Sequence, residues 1–196
     1  MQYIAKFFLI KKEYNNANLY LVSTIFRIKT CGLTGCRLKK FGYGVNSIQC
    51  DELKNRLEEL IIKLIEKEGV THFIFGVALG VDTYAANIVL KLKSDYPMIT
   101  LECAIPRETY AVKWNERDRD IYYDLLLKSD KETLLQQKYT SDCMQKRNEY
   151  MVDNSDYVIA VWNGKLSGTG NTVRYATKNN KVVLLVNPQT LEIEKC

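Results

Sequence analysis

The chain has 196 residues, of which 46% are hydrophobic, 26% charged and 11% aromatic. That is a globular composition, not a disordered or fibrous one, and enough chain for one cored domain with an appendage. The net charge of +5 sits at one end, since residues 1–60 hold ten Lys/Arg against five Asp/Glu and the remainder holds eighteen of each; this excludes a basic nucleic-acid coat and fits a local anion site or a basic arm.

In chain order, two strand-like runs come first, Tyr3–Ile10 and Leu19–Arg27, with Asn15-Asn16 between them. Residues 1–27 read as an N-terminal extension, either an added hairpin or a disordered segment. A regular alternation starts at Ile28 and defines the domain, residues 28–196. The strand Ile28–Thr34 runs into Gly35. Ser47 then caps a helix whose Leu53, Leu57, Leu60, Ile61 and Leu64 share one face, and Gly69 ends it. The strand Thr71–Gly76 and a helix from Val81 to about Ser94 follow, and Pro97 separates them from the strand Met98–Ile105. A charged helix over Asn115–Lys128 leads to a short strand near Glu132–Gln136, and a helix over Ser141–Val152 precedes the strand Tyr157–Trp162. Ser167-Gly-Thr-Gly170 opens a helix through Lys178, and Lys181–Val186 is the last strand. Nearly continuous apolar strands alternating with helices predict an α/β fold, a doubly wound, mostly parallel sheet with helices on both faces.

Six cysteines without a C-x-x-C pair, and a single histidine, His72, offer no metal-ligand cluster, so neither metal nor cofactor is expected. The N-terminus lacks the regions of a secretory signal, and its longest uncharged run, Tyr14–Phe26, is shorter than the roughly 20 apolar residues a membrane span needs. A cytoplasmic protein with reduced thiols is expected.

In open parallel sheets ligands bind beyond the carboxyl ends of the strands. Three of those ends carry glycine: Gly32-Leu-Thr34-Gly35-Cys-Arg37, Gly76-Val-Ala-Leu-Gly80-Val-Asp82, and Ser167-Gly168-Thr169-Gly170-Asn-Thr172. Glycine lets backbone N–H groups approach an anion, and a helix N-terminus adds partial positive charge. Thr34, Ser167, Thr169 and Thr172 add hydroxyls, and Arg37 a countercharge. One such turn has a purely steric explanation; three on one sheet edge point to a phosphate-bearing ligand. None is a P-loop or a G-x-G-x-x-G after the first strand.

The same residues resemble a known family. Gly32 to Arg37 followed by Lys40-Phe-Gly-Tyr-Gly44 looks like the first motif of the YpsA-like branch of the SLOG superfamily. Thr71–Asp82 with Ala85-Ala86, Tyr139–Asp153, and Gly168-Thr169 with Thr172–Ala176 are similar to the motifs that follow, so that the likeness covers roughly Ile28–Pro188. The resemblance implies a Rossmann-like domain that binds nucleotides or nucleotide-derived molecules, of a kind common in Gram-positive bacteria and their phages. Relatives include phosphoribohydrolases of the LOG type, the DNA-binding protein DprA and sensors attached to defence effectors. It also implies a homo-oligomer, because related domains pair through helices beside the site.

Two departures bear on chemistry. The branch reads G-H-R-P where this chain has Gly35-Cys36-Arg37-Leu38. Where LOG-type hydrolases carry their catalytic glutamate, the chain has Arg174, which cannot act as a general acid or base. The first expectation is therefore a sensor or sequestering protein that binds a nucleotide-type small molecule. The alternatives are a nucleotide N-glycosidase or phosphoribohydrolase using Asp82, Glu116 or Asp118 as acid–base, and single-stranded DNA binding of the DprA kind.

Individual residues carry two readings each. Asp82 is a first-turn acid favoured by the helix dipole, or a ligand for ribose or base. Trp114 closes over a core edge, or stacks on a base. Arg147 and Asn148 form a solvated helix face, or clamp a phosphate. Arg174 reaches a phosphate or a partner subunit, and Tyr139 is grouped with the packing tyrosines.

Overall fold

The computed structural model describes residues 27–36 and 41–196 and has the doubly wound α/β architecture that the sequence predicts. The strands are β1 (Lys29–Gly35), β2 (Val70–Phe75), β3 (Thr100–Ile105), β4 (Lys131–Leu134), β5 (Tyr157–Val161), β6 (Val182–Val186) and β7 (Ile193–Lys195). They form one sheet in the order β4-β3-β2-β1-β5-β6-β7. β1 to β6 run parallel, and β7 is antiparallel to β6. The helices are α1 (Ile48–Lys63), α2 (Val81–Leu92), α3 (Glu116–Lys128), α4 (Cys143–Asp153) and α5 (Gly168–Lys178).

Period-2 alternation divides the strand side chains between two cores. Phe73, Phe75, Leu101, Cys103, Ile159 and Val161 face α1, α2 and α3, together with Leu53, Leu57, Ile61, Ala85, Val89 and Leu125. On the other face Ile74 and Ala104 meet Met151, and Val158, Ala160 and Val183 meet Val152, Val173 and Ala176. Each large side chain so buried contributes about 1.5–3 kcal/mol. The second face is built from smaller residues, and α4 therefore sits close to the sheet.

Local signals set the helix ends. Ser47 Oγ accepts from Cys50 N at 3.2 Å and starts α1. That helix passes into a π-turn, Leu64–Glu68, and stops at Gly69 with φ +71°, a left-handed cap that glycine adopts without strain. Several boundaries shift by two residues from expectation: α2 ends at Leu92 instead of Ser94, β3 starts at Thr100 instead of Met98, β4 ends at Leu134 instead of Gln136, and α4 starts at Cys143 instead of Ser141. β7 was not expected at all. Among the described residues no helix is long and apolar enough to cross a membrane. The N-terminal extension, apart from Arg27, lies outside the described residues.

The chain winds outward from β1 through β2, β3 and β4, then returns to the other side of β1 as β5. Strand order reverses there, and this opens a crevice beyond the paired ends Gly35 and Val161.

Candidate functional site at the carboxyl edge of the sheet

At the end of β1, Thr34 is buried and Gly35 is held against the first residue of α2. A Cβ on Gly35 would lie 2.5 Å from Val81 Cβ, so only glycine allows α2 to start here. Cys36, also buried, is hydrogen-bonded at 3.3 Å to the hydroxyl of Thr169 in α5, which ties the two walls of the crevice together.

Beyond β2 the chain turns through Gly76–Gly80 in a conformation that needs support. Val77, a buried β-branched residue, has φ +47°, in the left-handed region that such side chains avoid, and Gly80 has φ +108°. Two buried charges from opposite faces brace this turn. Arg147, on α4, donates from Nη1 to the Gly76 carbonyl and from Nε to Asn148 Oδ1 at 2.8 Å. Asp82, on α2, accepts from Ala78 N at 3.4 Å, and the amides of Gly35 and Gly76 also bond to it. Burial pushes the Asp82 carboxyl up to about 6, against the opposing pull of Arg147 and those amides. Three amides of these two turns, those of Gly35, Gly76 and Ala78, are thus turned onto an internal carboxylate.

The third turn differs. Ser167 caps α5, its Oγ accepting from Gly170 N at 3.1 Å, and Thr172 donates to the Gly168 carbonyl at 3.0 Å. A Cβ on Gly170 would fall 2.9 Å from Trp162 Cζ2, so the indole at the end of β5 lies flush on the helix start; Trp162 Nε1 is fixed by Lys165 O at 2.6 Å. The N–H groups of Gly168 and Thr169 belong to the first turn and have no intrahelical acceptor. They lie at the positive end of α5.

The structure therefore brings Thr34, Gly35, Gly76, Gly80, Asp82, Arg147, Gly168, Thr169, Gly170 and Thr172 to one edge, and separates others from it. Gly32 sits inside β1 under α4, where a Cβ would meet Ser155 Oγ at 2.8 Å and Met151 O at 3.2 Å. It is a close-packing glycine, not a ligand-facing one. Trp114 stands edge-on to Tyr110 and Tyr122 at 5.1 and 5.6 Å and closes the core beside α3. Arg147 is not a solvated or phosphate-facing residue, and Asn148 serves as its acceptor. Arg174 is exposed and hydrogen-bonds Asn171 on its own helix. Arg37 lies outside the described residues. Sequence reading missed Trp162, whose only signal is its place at the end of an apolar strand, five residues before Ser167, the cap of α5.

A separate polar cluster lies under α4. Glu102, 1% exposed, accepts from His72 Nε2 at 2.9 Å, Lys131 Nζ at 3.0 Å, Thr133 Oγ1 at 2.7 Å and Tyr150 OH at 2.7 Å. Burial raises its carboxyl, but the donors outweigh burial and hold it at about 2.

Comparison with known proteins matches this frame. The YpsA family model, described as the YspA SLOG family, covers residues 31–191. An uncharacterised SPbeta prophage-derived protein of Bacillus subtilis, YoqJ, is 36% identical over 140 residues, 65% of this chain and 81% of that protein. A UPF0398 protein of Halalkalibacterium halodurans is 28% identical over 84% of this chain and 91% of its own length. Among solved structures, TM1055 superposes with a TM-score of 0.54 at 19% identity, over 84% of this chain and 76% of that one. The Helicobacter pylori DNA processing protein A, described in its single-stranded DNA binding mode, does so with a TM-score of 0.56 at 18% identity, over 85% and 68%. These structures share the fold. On the match across residues 31–191, the chain belongs to the YpsA family of SLOG proteins.

Proposed function

We propose that the protein binds a nucleotide-type ligand at the crevice between β1 and β5 and acts as a sensor or sequestering protein. The phosphate sits on the N–H groups of Gly168 and Thr169. The observation that carries this reading is the contrast between the three glycine turns. Asp82 draws on the amides of Gly35, Gly76 and Ala78, while Gly168 N and Thr169 N of α5 have no acceptor among the described residues, beside the Cys36–Thr169 contact. Family membership supports it. A thermal-shift panel of mono-, di- and cyclic nucleotides tests it, each ligand being recovered and checked for cleavage. At 100-fold excess over Kd a ligand adds about 2.7 kcal/mol, a shift of roughly 5–10 °C in a chain of this size. No shift across the panel contradicts the reading.

One observation favours a catalytic alternative: a carboxyl held at about 6 is poised for proton transfer near neutral pH, and Asp82 is such a group. Recovery of a cleaved ligand, and its loss in Asp82→Asn, would establish an N-glycosidase. Single-stranded DNA binding, the property named for the H. pylori relative, would instead show affinity that falls steeply with salt.

A further inference from the structure

On the other side of β5 from the β1 crevice, toward β6 and β7, the carboxyl edge holds a cleft of about 250 Å³. Strand register builds it. Val158, Ala160 and Trp162 alternate onto the α5 face, and so do Val183 and Leu185 of β6. Glu194 of β7 pairs directly with Leu185, so its side chain stands on that face too, as does that of Glu192 two residues earlier. Trp162 N donates to Val186 O at 3.1 Å and Asn187 N to Glu192 O at 3.0 Å, which carries the ladder one step past the strand ends. The cleft thus has an indole on one side, Leu185 and Asn187 along the middle, and two carboxylates on the other side.

The two walls offer different chemistry. The half-buried indole lies against Gly170 in the first turn of α5, and so joins the cleft to the Gly168 and Thr169 amides. An aromatic ring of this kind stacks on any base, because every base presents a π-face. Glu192 accepts from Thr190 Oγ1 at 3.0 Å. Glu194 is exposed and makes no hydrogen bond or ion pair among the described residues. The adjacent Lys195 does not neutralise it, since Ile193 and Lys195 alternate to the opposite face and line a different cavity there.

A carboxylate only accepts, and it accepts two parallel hydrogen bonds. The Watson–Crick edge of guanine supplies N1–H and N2–H side by side. Adenine supplies one N–H beside the lone pair of N1, which a carboxylate repels. Stacking on Trp162 therefore admits a base, and the acid selects it. We propose that the cleft between Trp162 and Glu194 receives the base of the ligand whose phosphate lies on α5, and that this base is guanine, with Glu194 accepting from N1–H and N2–H. This rests on the reading of the α5 site given above. The ligand then straddles the end of β5, with its phosphate at the positive end of α5 and its N–H edge at the acidic wall. Glu194 stands two strand spacings from β5, about 10 Å, a span that one nucleotide covers from phosphate to base edge.

The test is isothermal titration of the full chain, and of Glu194→Gln, with GMP, AMP and guanosine. Glu194 is exposed and unpartnered, so a thermal melt should find the variant as stable as wild type. Wild type should bind GMP at least tenfold tighter than AMP. A carboxamide accepts at one atom and donates at the other, which is the pattern adenine needs, so Glu194→Gln should bind AMP at least as tightly as GMP. GMP no tighter than AMP in wild type, or a GMP preference unchanged in Glu194→Gln, overturns the guanine cleft and leaves the α5 site standing. Guanosine binding as tightly as GMP, with the guanine preference lost in Glu194→Gln, keeps the cleft and overturns the phosphate site. Failure of all three compounds to bind overturns both.

Discussion

The guanidinium of Arg147 lies directly on Gly76: it donates to the carbonyl of this first residue beyond β2, and a Cβ on Gly76 would fall inside it. The contact explains how Val77, the next residue, is kept at φ +47°. Arg147 anchors the strand end from one face of the sheet while Asp82 gathers the following amides from the other. The turn at this edge is thus held from both faces of the sheet.

Gly76→Ala should therefore displace Arg147 and leave two buried charges poorly matched. A loss of about 1–3 kcal/mol is expected, the cost of leaving buried polar groups without their hydrogen bonds. Arg147→Met should cost nearly as much. Urea unfolding at pH 7 measures both, and a loss below about 1 kcal/mol in each would show that the turn is supported elsewhere.

The two buried carboxyls impose opposite pH dependences. Asp82 titrates at about 6 when folded against an ordinary value of 3.8, so the folded protein takes up its proton first. Stability from this group rises as pH falls from about 6 to 4, by about 3 kcal/mol at most. Glu102 titrates at about 2 against 4.5, so its contribution is complete above 4.5 and is lost as pH falls toward 2, by a similar amount. Stability measured by denaturant from pH 7 to 2.5 should pass through a maximum near pH 4–5. Asp82→Asn should flatten the upper slope, and Glu102→Gln the lower one. A slope unchanged in its own variant contradicts the assignment.

Gly32 and Gly170 should separate packing from binding. Gly32→Val places side-chain atoms against the Met151 backbone, which cannot yield without lifting α4, at a cost of about 1–3 kcal/mol. The folded fraction should still bind ligand with unchanged affinity. Gly170→Val drives its side chain into Trp162 beside the α5 amides, and ligand affinity should fall at least tenfold. Calorimetry on both variants, scored per folded molecule, distinguishes these outcomes; equal affinities would remove α5 from the site.

Most of the frame was legible because its signals are local. Ser47 and Gly69 mark the ends of the first helical segment, and the apolar runs at β2, β3 and β5 have the continuous hydrophobicity of strands covered on both faces. β7 was hidden because three residues with one half-buried apolar side chain, Ile193, carry no period, and their pairing with β6 is set by the preceding turn. Glycines were found but not sorted. Gly32 and Gly35 stand three residues apart in one motif, yet one packs against α4 and the other against α2, a distinction made by helices more than forty residues away. The direction of Arg147 was equally out of reach, since its acceptor Gly76 is 71 residues earlier in the chain.

The central claim is that phosphate binds the first-turn amides of α5, and titration of ¹⁵N-labelled protein with AMP, with adenosine as control, tests it most directly. The amide resonances of Gly168 and Thr169 should shift downfield and saturate with AMP and stay in place with adenosine. Saturable binding that leaves both amides unmoved, or that moves them equally with adenosine, would contradict it.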